Sequence, residues 1–436
     1  MKKHTQSPYE SSKVSYKPSG IKWLGEIPHH WEIKKAKGIF KEVKRSVKDN
    51  DEIITCFRDG IVTLRKNRRT EGFTNSLKEI GYQGIRVNDL VIHSMDAFAG
   101  AIGVSDSNGK ATPVYVVCVP RYDNLADNKY YAYLLRNVAN SGFILSLAKG
   151  IRERSTEFKY NDFADLKIPL PPLQEQKEIA EFLDKKCEKI QNYINKKQKL
   201  ITLLQEKKQA LINEVVTKGL NPNIEFKNSE IAYLGLIPHH WEVRRMKFMA
   251  SIHNGREQTE IADENGIYPI YGSGGILGKS MYFIYDKPSV LLGRKGTIDK
   301  PLFVEEPFWT IDTMFYTSVS KIVLPKYFYY LCLTIDFQFY ISGSAIPSMT
   351  QYDLANISFA LPPLQEQKQI ANFLDEKCEK INSAIEKTKR QIELIKEYKN
   401  TLINEAVCGR VACSRDFSPT AQNDKGKATQ NDKKKN

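Results

Sequence analysis

Apolar residues recur at spacings of seven, split alternately into three and four, along two stretches of the chain. In the first, Leu183, Ile190, Leu204 and Leu211 form one row, with Lys197 in its gap, and Cys187, Ile194, Ile201 and Val215 form the other, with Lys208 in its gap. In the second, the rows are Leu374, Ile381, Ile395 and Leu402, with Thr388 between, and Cys378, Ile385, Ile392 and Ala406, with Lys399 between. This is the a/d seam of a coiled coil. Gln174 to Lys218 runs for 45 residues without Gly or Pro. Pro171 and Pro172 precede it, Glu175 lies in its first turn, and Lys218, Gly219 and Pro222 follow. These are start and stop signals of a helix. Pro362, Pro363, Glu366 and Gly409 bound the second stretch in the same way. At about 1.5 Å per residue each helix is about 68 Å long. Neither can bury its seam alone, so the pattern predicts that the two pair antiparallel.

Outside these stretches the pattern shortens to that of strands. Gly60 to Leu64, Ile85 to Met95, Ala101 to Val104 and Val114 to Val119 are strand-like, with a helix expected over Lys129 to Lys149. Further on, Tyr268 to Tyr271, Val290 to Gly293, Leu302 to Val304 and Ile311 to Ser318 are strand-like, with a helix expected over Pro325 to Tyr340. The fold class is therefore mixed α/β (α+β): two globular regions separated by two long helices.

The chain is also written twice. Trp23-Leu24-Gly25-Glu26-Ile27-Pro28-His29-His30-Trp31-Glu32-Ile33 returns as Tyr233-Leu234-Gly235-Leu236-Ile237-Pro238-His239-His240-Trp241-Glu242-Val243, with 8 of 11 positions agreeing. Residues 170–190 return at 361–381 with 18 of 21 positions agreeing. Between these frames the two inserts differ in sequence and length. Like frames with unlike inserts are expected where the frames share one job and the inserts do two. The repeat predicts a pseudo-twofold molecule with segments at 1–17 (a flexible N-terminus), 18–169, 170–220, 221–360, 361–410 and 411–436 (a disordered basic tail).

Charge narrows the class of partner. Lys plus Arg is 65 against 51 Asp plus Glu, a formal net charge of +14, and an excess of this sign points to nucleic acid. The tail beyond Val411 contributes +3 of it, six basic residues against three acids. The remainder includes local clusters in the inserts. The first insert offers Arg65, Lys66, Arg68 and Arg69 in a polar loop, then Arg152 and Arg154. The second offers Arg256 beside Asn254 and Gly255, Ser273 in a glycine-rich turn, and Arg294, Lys295 and Thr297 in a tight turn. Side chains of these types reach phosphates and base edges, and neighbouring glycines let backbone come close.

Other chemistries find little support. Gly272 to Ser280 imitates a phosphate-binding loop, but Ser273 stands where that motif needs glycine. The adjacent pairs His29-His30 and His239-His240 diverge, and neither CxxC nor HExxH occurs, so no metal site is expected. Seven scattered cysteines make no disulfide framework. With no apolar run of about 18 residues and no apolar leader, a cytoplasmic protein is expected.

The two leading blocks at Leu24 to Trp31 and Leu234 to Trp241, with the paired Leu-Pro-Pro-Leu-Gln-Glu-Gln blocks at 170–176 and 361–367, resemble the specificity subunit of type I restriction-modification systems. Val290-Leu291-Leu292-Gly293-Arg294-Lys295-Gly296-Thr297 and Phe308-Trp309-Thr310-Ile311-Asp312-Thr313 also look family-like. The first insert departs here, with Ser94-Met95-Asp96-Ala97-Phe98-Ala99-Gly100 in place of the basic turn. The resemblance covers about residues 18–410. It implies that the inserts are target-recognition domains, each reading half of a split double-stranded DNA target. It implies that the helices set the spacer and dock two modification subunits, with restriction subunits joining them. It implies no catalysis and no cofactor on this chain, S-adenosylmethionine, ATP and Mg belonging to those partners, and a nucleoid association through DNA. The competing readings are a stand-alone DNA methyltransferase or nuclease with an unrecognised site, and a structural coiled-coil protein with incidental basicity.

Overall fold

The computed structural model describes residues 15–68, 80–147, 157–340 and 346–411. It divides into two compact units, residues 1–194 with 393–436, and residues 195–392. The divisions fall inside the two long helices, Leu173–Lys218 and Leu364–Val407. Each unit therefore holds the first part of one long helix and the last part of the other.

In the first unit, four antiparallel strands lie in the spatial order Phe40–Glu42, Tyr115–Pro120, Leu90–His93, Ile102–Val104. Leu90, Val91 and Ile92 have no exposed surface. The helix Asn128–Asn140 buries Tyr130, Tyr131, Leu134, Leu135 and Val138. Its N-cap is Asp127, whose side chain accepts the Tyr130 N–H at 2.9 Å and so satisfies a donor of the first turn. In the second unit the same sheet recurs in the same order: Ala250–Asn254, Met314–Val319, Ser289–Gly293, Leu302–Val304. The helix Pro325–Cys332 follows, with proline at its start.

The frame motifs are structural clamps, built alike in the two units. Trp31 and Trp241 are wholly buried. Trp31 Nε1 donates to Glu175 Oε2 at 2.8 Å, and His30 Nε2 lies 2.7 Å from the other oxygen of that carboxylate. Trp241 Nε1 donates to Glu366 Oε2 at 3.0 Å, and His240 Nε2 lies 2.6 Å from Glu366 Oε1. Each carboxylate sits in the first turn of a long helix, where the backbone dipole favours it. The last glutamine of each repeat is buried and uses its whole amide. Gln176 donates to Pro171 O at 2.8 Å and Leu125 O at 3.2 Å, and accepts from Asp127 N at 2.8 Å. Gln367 donates to Pro362 O at 2.9 Å and Ile322 O at 3.0 Å, and accepts from Leu324 N at 2.8 Å.

The other long helix ends against the same tryptophan. Gly409 has φ +70°, and a Cβ there would lie 2.7 Å from the Trp31 ring. Gly219 has φ +77°, and its Cβ would lie 3.2 Å from the Trp241 ring. In each unit, then, one tryptophan holds the first turn of one long helix and the glycine that closes the other.

The predicted seam is largely buried. Leu183, Ile190, Ile194, Val215, Leu374, Cys378, Ile385, Ile392, Leu402 and Ala406 are buried, and so is Thr388 in a gap position. Cys187 is half-buried, and the six described cysteines are free thiols.

Three expectations about elements need correction. The helix expected over 129–149 ends at Asn140 and resumes at Phe143–Leu147, because Gly142 turns the chain at φ +78°. The helix expected over 325–340 ends at Cys332, with only a 3-10 turn at Phe337–Tyr340. Ile85 to Met95 is not one strand but Gln83–Ile85 and Leu90–His93. Asn88, at φ +71°, makes the turn, and buried Asp89 fixes it by accepting from Arg86 N at 2.7 Å and Arg45 Nη2 at 3.0 Å. The 411–436 tail lies outside the described residues beyond Val411, as does 1–14.

Candidate nucleic-acid interface

In the second unit the segment after Ala250–Asn254 leaves the sheet and folds as a β hairpin, Tyr268–Gly272 with Gly275–Ser280. The glycine-rich stretch that imitates a phosphate loop is the turn and returning strand of this hairpin. Trp309–Thr310 adds a third, parallel strand beside Tyr268–Gly272.

Four of the sequence-predicted residues converge beside the turn of this hairpin, all tied to the segment 310–313. Arg256 N donates to Thr310 O at 2.8 Å, and Arg256 O accepts from Trp309 Nε1 at 3.0 Å. Gly255 must be glycine, because a Cβ would collide with the Ile311 carbonyl. Ser273 N lies 3.4 Å from Thr313 Oγ1, and Arg294 N and Lys295 N reach Thr313 O at 2.9 and 3.3 Å. Gly296, at φ +82°, passes so close to Ser273 that a Cβ would lie 3.1 Å from its hydroxyl. Residues 347–349 brace the turn from the far side: Gly296 N donates to Pro347 O at 2.9 Å and Met349 N to Arg294 O at 2.9 Å. The Arg294 guanidinium donates to Asp312 O at 3.2 Å and lies 5.9 Å from the Phe315 ring centre. The Thr297 carbonyl packs against Gly293 and closes the turn, and its side chain is half-buried. Arg256 and Lys295 are exposed, and among the described residues no carboxylate lies within salt-bridge distance of Arg256, Arg294 or Lys295. The result is a slim hairpin and two cationic turns gathered at one end of a sheet.

In the first unit the corresponding segment forms the hairpin Ile54–Cys56 with Val62–Leu64, then a 3-10 turn at Arg65–Asn67. Its basic residues are engaged. Lys66 pairs with Glu52 at 2.6 Å, and Arg68 pairs with Asp59 at 2.8 Å while lying 4.5 Å from the Phe57 ring centre. Arg65 Nε donates to Thr55 Oγ1 at 3.1 Å. Burial raises the Asp59 carboxyl, but the hydrogen bonds from Arg68 and the Ile61 N–H, with the charges of Arg68 and Arg136, together outweigh it and hold the group below its ordinary value. Arg69, Arg152 and Arg154 lie outside the described residues.

Sequence reasoning missed Arg58, which pairs with Asp96 at 2.8 Å, and exposed Lys279 on the hairpin. Arg58 stands beside the Asp59-Gly60 turn signal, which was available. Lys279 was hidden inside the stretch read as a failed phosphate loop. Among the described residues no group of three or more His, Cys, Asp or Glu is placed to hold a metal ion, and no helix is long and apolar enough to cross a membrane.

A duplicated frame mounts a different hairpin in each half, with basic residues gathered beside both, the build of a nucleic-acid-binding protein. The chain belongs to the family described as the type I restriction modification DNA specificity domain, whose model matches residues 28–205 and 238–394. It is similar to the type I restriction enzyme MjaVIII specificity subunit of Methanocaldococcus jannaschii, 26% identical over 430 residues, covering 88% of this chain and 94% of the relative. A second protein of that organism, assigned as the MjaX specificity subunit, is 26% identical over 422 residues, covering 89% of this chain and 95% of the relative. A solved chain from work on complex assembly and conformational transition of the type I system shares the fold, with a TM-score of 0.69 at 14% identity over 88% of this chain and 99% of that one. The family is the non-catalytic DNA-recognition component of type I systems, and this chain is a DNA specificity subunit that works with DNA and the other subunits of such a system.

Proposed function

We infer that each unit reads one half of a split, asymmetric DNA target. The observation that carries this reading is the recurrence of one sheet and one clamp with different hairpins mounted on them. In the second unit Arg256, Ser273, Arg294, Lys295 and Thr297 approach phosphates and base edges. In the first unit Arg65, Lys66 and Arg68 face DNA, joined by Arg69, Arg152 and Arg154 on the strength of their sequence context. The long helices set the spacing of the half-sites and dock two modification subunits, with restriction subunits completing the complex. In this reading, which follows the family resemblance, S-adenosylmethionine, ATP and Mg belong to those partners. Two half-sites multiply specificity, since each mismatched pair costs about 1–3 kcal/mol. The complex works in the cytoplasm, on the nucleoid.

The test is to replace residues 244–360 with the second region of another family member and to map methylated sites in the genome. One half of the target changes and the other stays. A change in both halves, or in neither, overturns the modular reading.

A further inference from the structure

The second unit's hairpin has a feature that phosphate binding leaves unused. Its strands meet through Ser273 and Gly274, and the far strand then presents Ile276 and Leu277, 63% and 53% exposed. Two apolar side chains beside a docked turn stay in contact with water, with no core to bury them. Leu277 leans back on Gly272, where a Cβ would lie 2.7 Å from it, and so supports the tip. Ile276 projects free of it. The ribbon is also slim: a Cβ added at Gly274, Gly275 or Gly278 would meet nothing within 4 Å. Gly275–Ser280 is the outer strand of its three-stranded sheet, paired on one side by Tyr268–Gly272, so its other side is open to a partner.

Charge favours DNA over an apolar protein partner as the occupant of this tip. Exposed Lys279 lies three residues beyond Ile276, and Arg256 and Lys295 stand exposed beside the hairpin's turn, with no carboxylate within salt-bridge distance of these three cations among the described residues. An apolar tip ringed by unneutralised cations suits a partner that is anionic outside and carries isolated apolar groups within. In the major groove the one such group is the C5-methyl of thymine.

We propose that Ile276 is a specificity-determining residue that reads a thymine methyl in the half-site of the second unit. This rests on the inferred reading of DNA by halves. The crossover segment in the same topological place in the first unit carries Arg58, Asp59 and Gly60 at its tip instead, so the two halves differ in the chemistry they read as well as in sequence.

The experiment uses the complex reconstituted with its modification subunits and duplexes carrying the mapped target. Thymines of the second unit's half-site are replaced by deoxyuridine, which removes only the methyl. Wild-type complex loses about fourfold in affinity, the worth of one buried methyl. Ile276→Ala loses about as much on the thymine duplex and nothing further on the deoxyuridine duplex. The proposal is overturned if wild type is indifferent to deoxyuridine there, if I276A remains as sensitive as wild type, or if that half-site holds only G·C pairs. Ile276 is exposed, so the variant keeps its fold, and an unchanged melting curve verifies it. A complex that cannot tell the target from scrambled DNA fails at the earlier step and sinks the DNA reading itself.

Discussion

The two sheets can be laid on each other by register alone, and the comparison isolates one turn. Ile92 faces Val116 and Ile102 across its sheet, as Leu291 faces Tyr316 and Leu302 across the other. Counting on from that pair, Met95 and Asp96 occupy the places of Arg294 and Lys295. One frame position therefore carries an anion in the first unit and a cation in the second. Asp96 holds Arg58 at 2.8 Å, whereas Lys295 is exposed and has no carboxylate within salt-bridge distance among the described residues. At this turn the first unit pairs its anion with Arg58, and the second leaves its cation without a carboxylate partner among the described residues. Bulk charge is a poor guide to such a difference: +14 is a sum over both habits.

The largest effect tests what the units share. Trp31→Ala and Trp241→Ala each remove a wholly buried indole that seats a carboxylate and a helix end. Loss of about 3–5 kcal/mol is expected from each, roughly 10 °C in melting temperature. The two variants should be alike, and a melting curve displaced by one and hardly by the other would mean that the duplicated clamps are not equivalent. Glu175→Gln and Glu366→Gln should cost less, about 1–2 kcal/mol each, because the amide can still accept one of the two hydrogen bonds.

The clamps were legible in the sequence because packing fixes their identities twice. A buried glutamine with three backbone partners tolerates no replacement, so Gln176 and Gln367 surface as a repeat. The long helices were legible because a seam of spacing seven must recur for as long as the helix lasts. The hairpin was not, because Gly-Ser-Gly-Gly followed by an apolar pair serves a slim turn and a phosphate loop equally well. What decides between them is the pairing of Gly275–Ser280 with Tyr268–Gly272, which is non-local information. The strand break at Asn88 was hidden for a similar reason, since Asp89 makes its turn through Arg45, far along the chain. The ion pairs that separate Arg58 and Arg68 from Arg294 were likewise beyond a reading of charge density.

Reciprocal charge exchange at the matched turn gives an intermediate effect. Lys295→Asp should weaken DNA binding by the assembled complex about tenfold or more and lower the slope of log affinity against log salt by about 0.9. Asp96→Lys should do the reverse, releasing Arg58 and adding a cation, with binding tightened a few-fold and the slope raised. Fluorescence anisotropy across a salt series measures both. Equal slopes for all three proteins would show that neither turn meets phosphate, and the contrast between the units would then be one of internal packing only.

The smallest effect concerns the residue two before Met95. His93 ends a central strand, and burial holds its imidazole below the ordinary value of 6.5. Asp96, 3.8 Å away, opposes that shift, Arg58 adds to it, and the Tyr115 ring meets the imidazole edge-on. A folded state that resists protonation loses stability as pH falls through the unfolded value, because the unfolded chain takes up a proton that the folded chain refuses. The stabilisation is fully present above that value and declines below about 6.5. The register puts Leu292 at the same place in the second unit, where nothing can titrate. His93→Leu therefore makes the first unit like the second at this position. Its melting temperature relative to wild type should rise between pH 7.5 and pH 5.5, as wild type alone loses the histidine contribution. A pH-independent gap between the two curves would place the pH response elsewhere and remove this residue from the contrast.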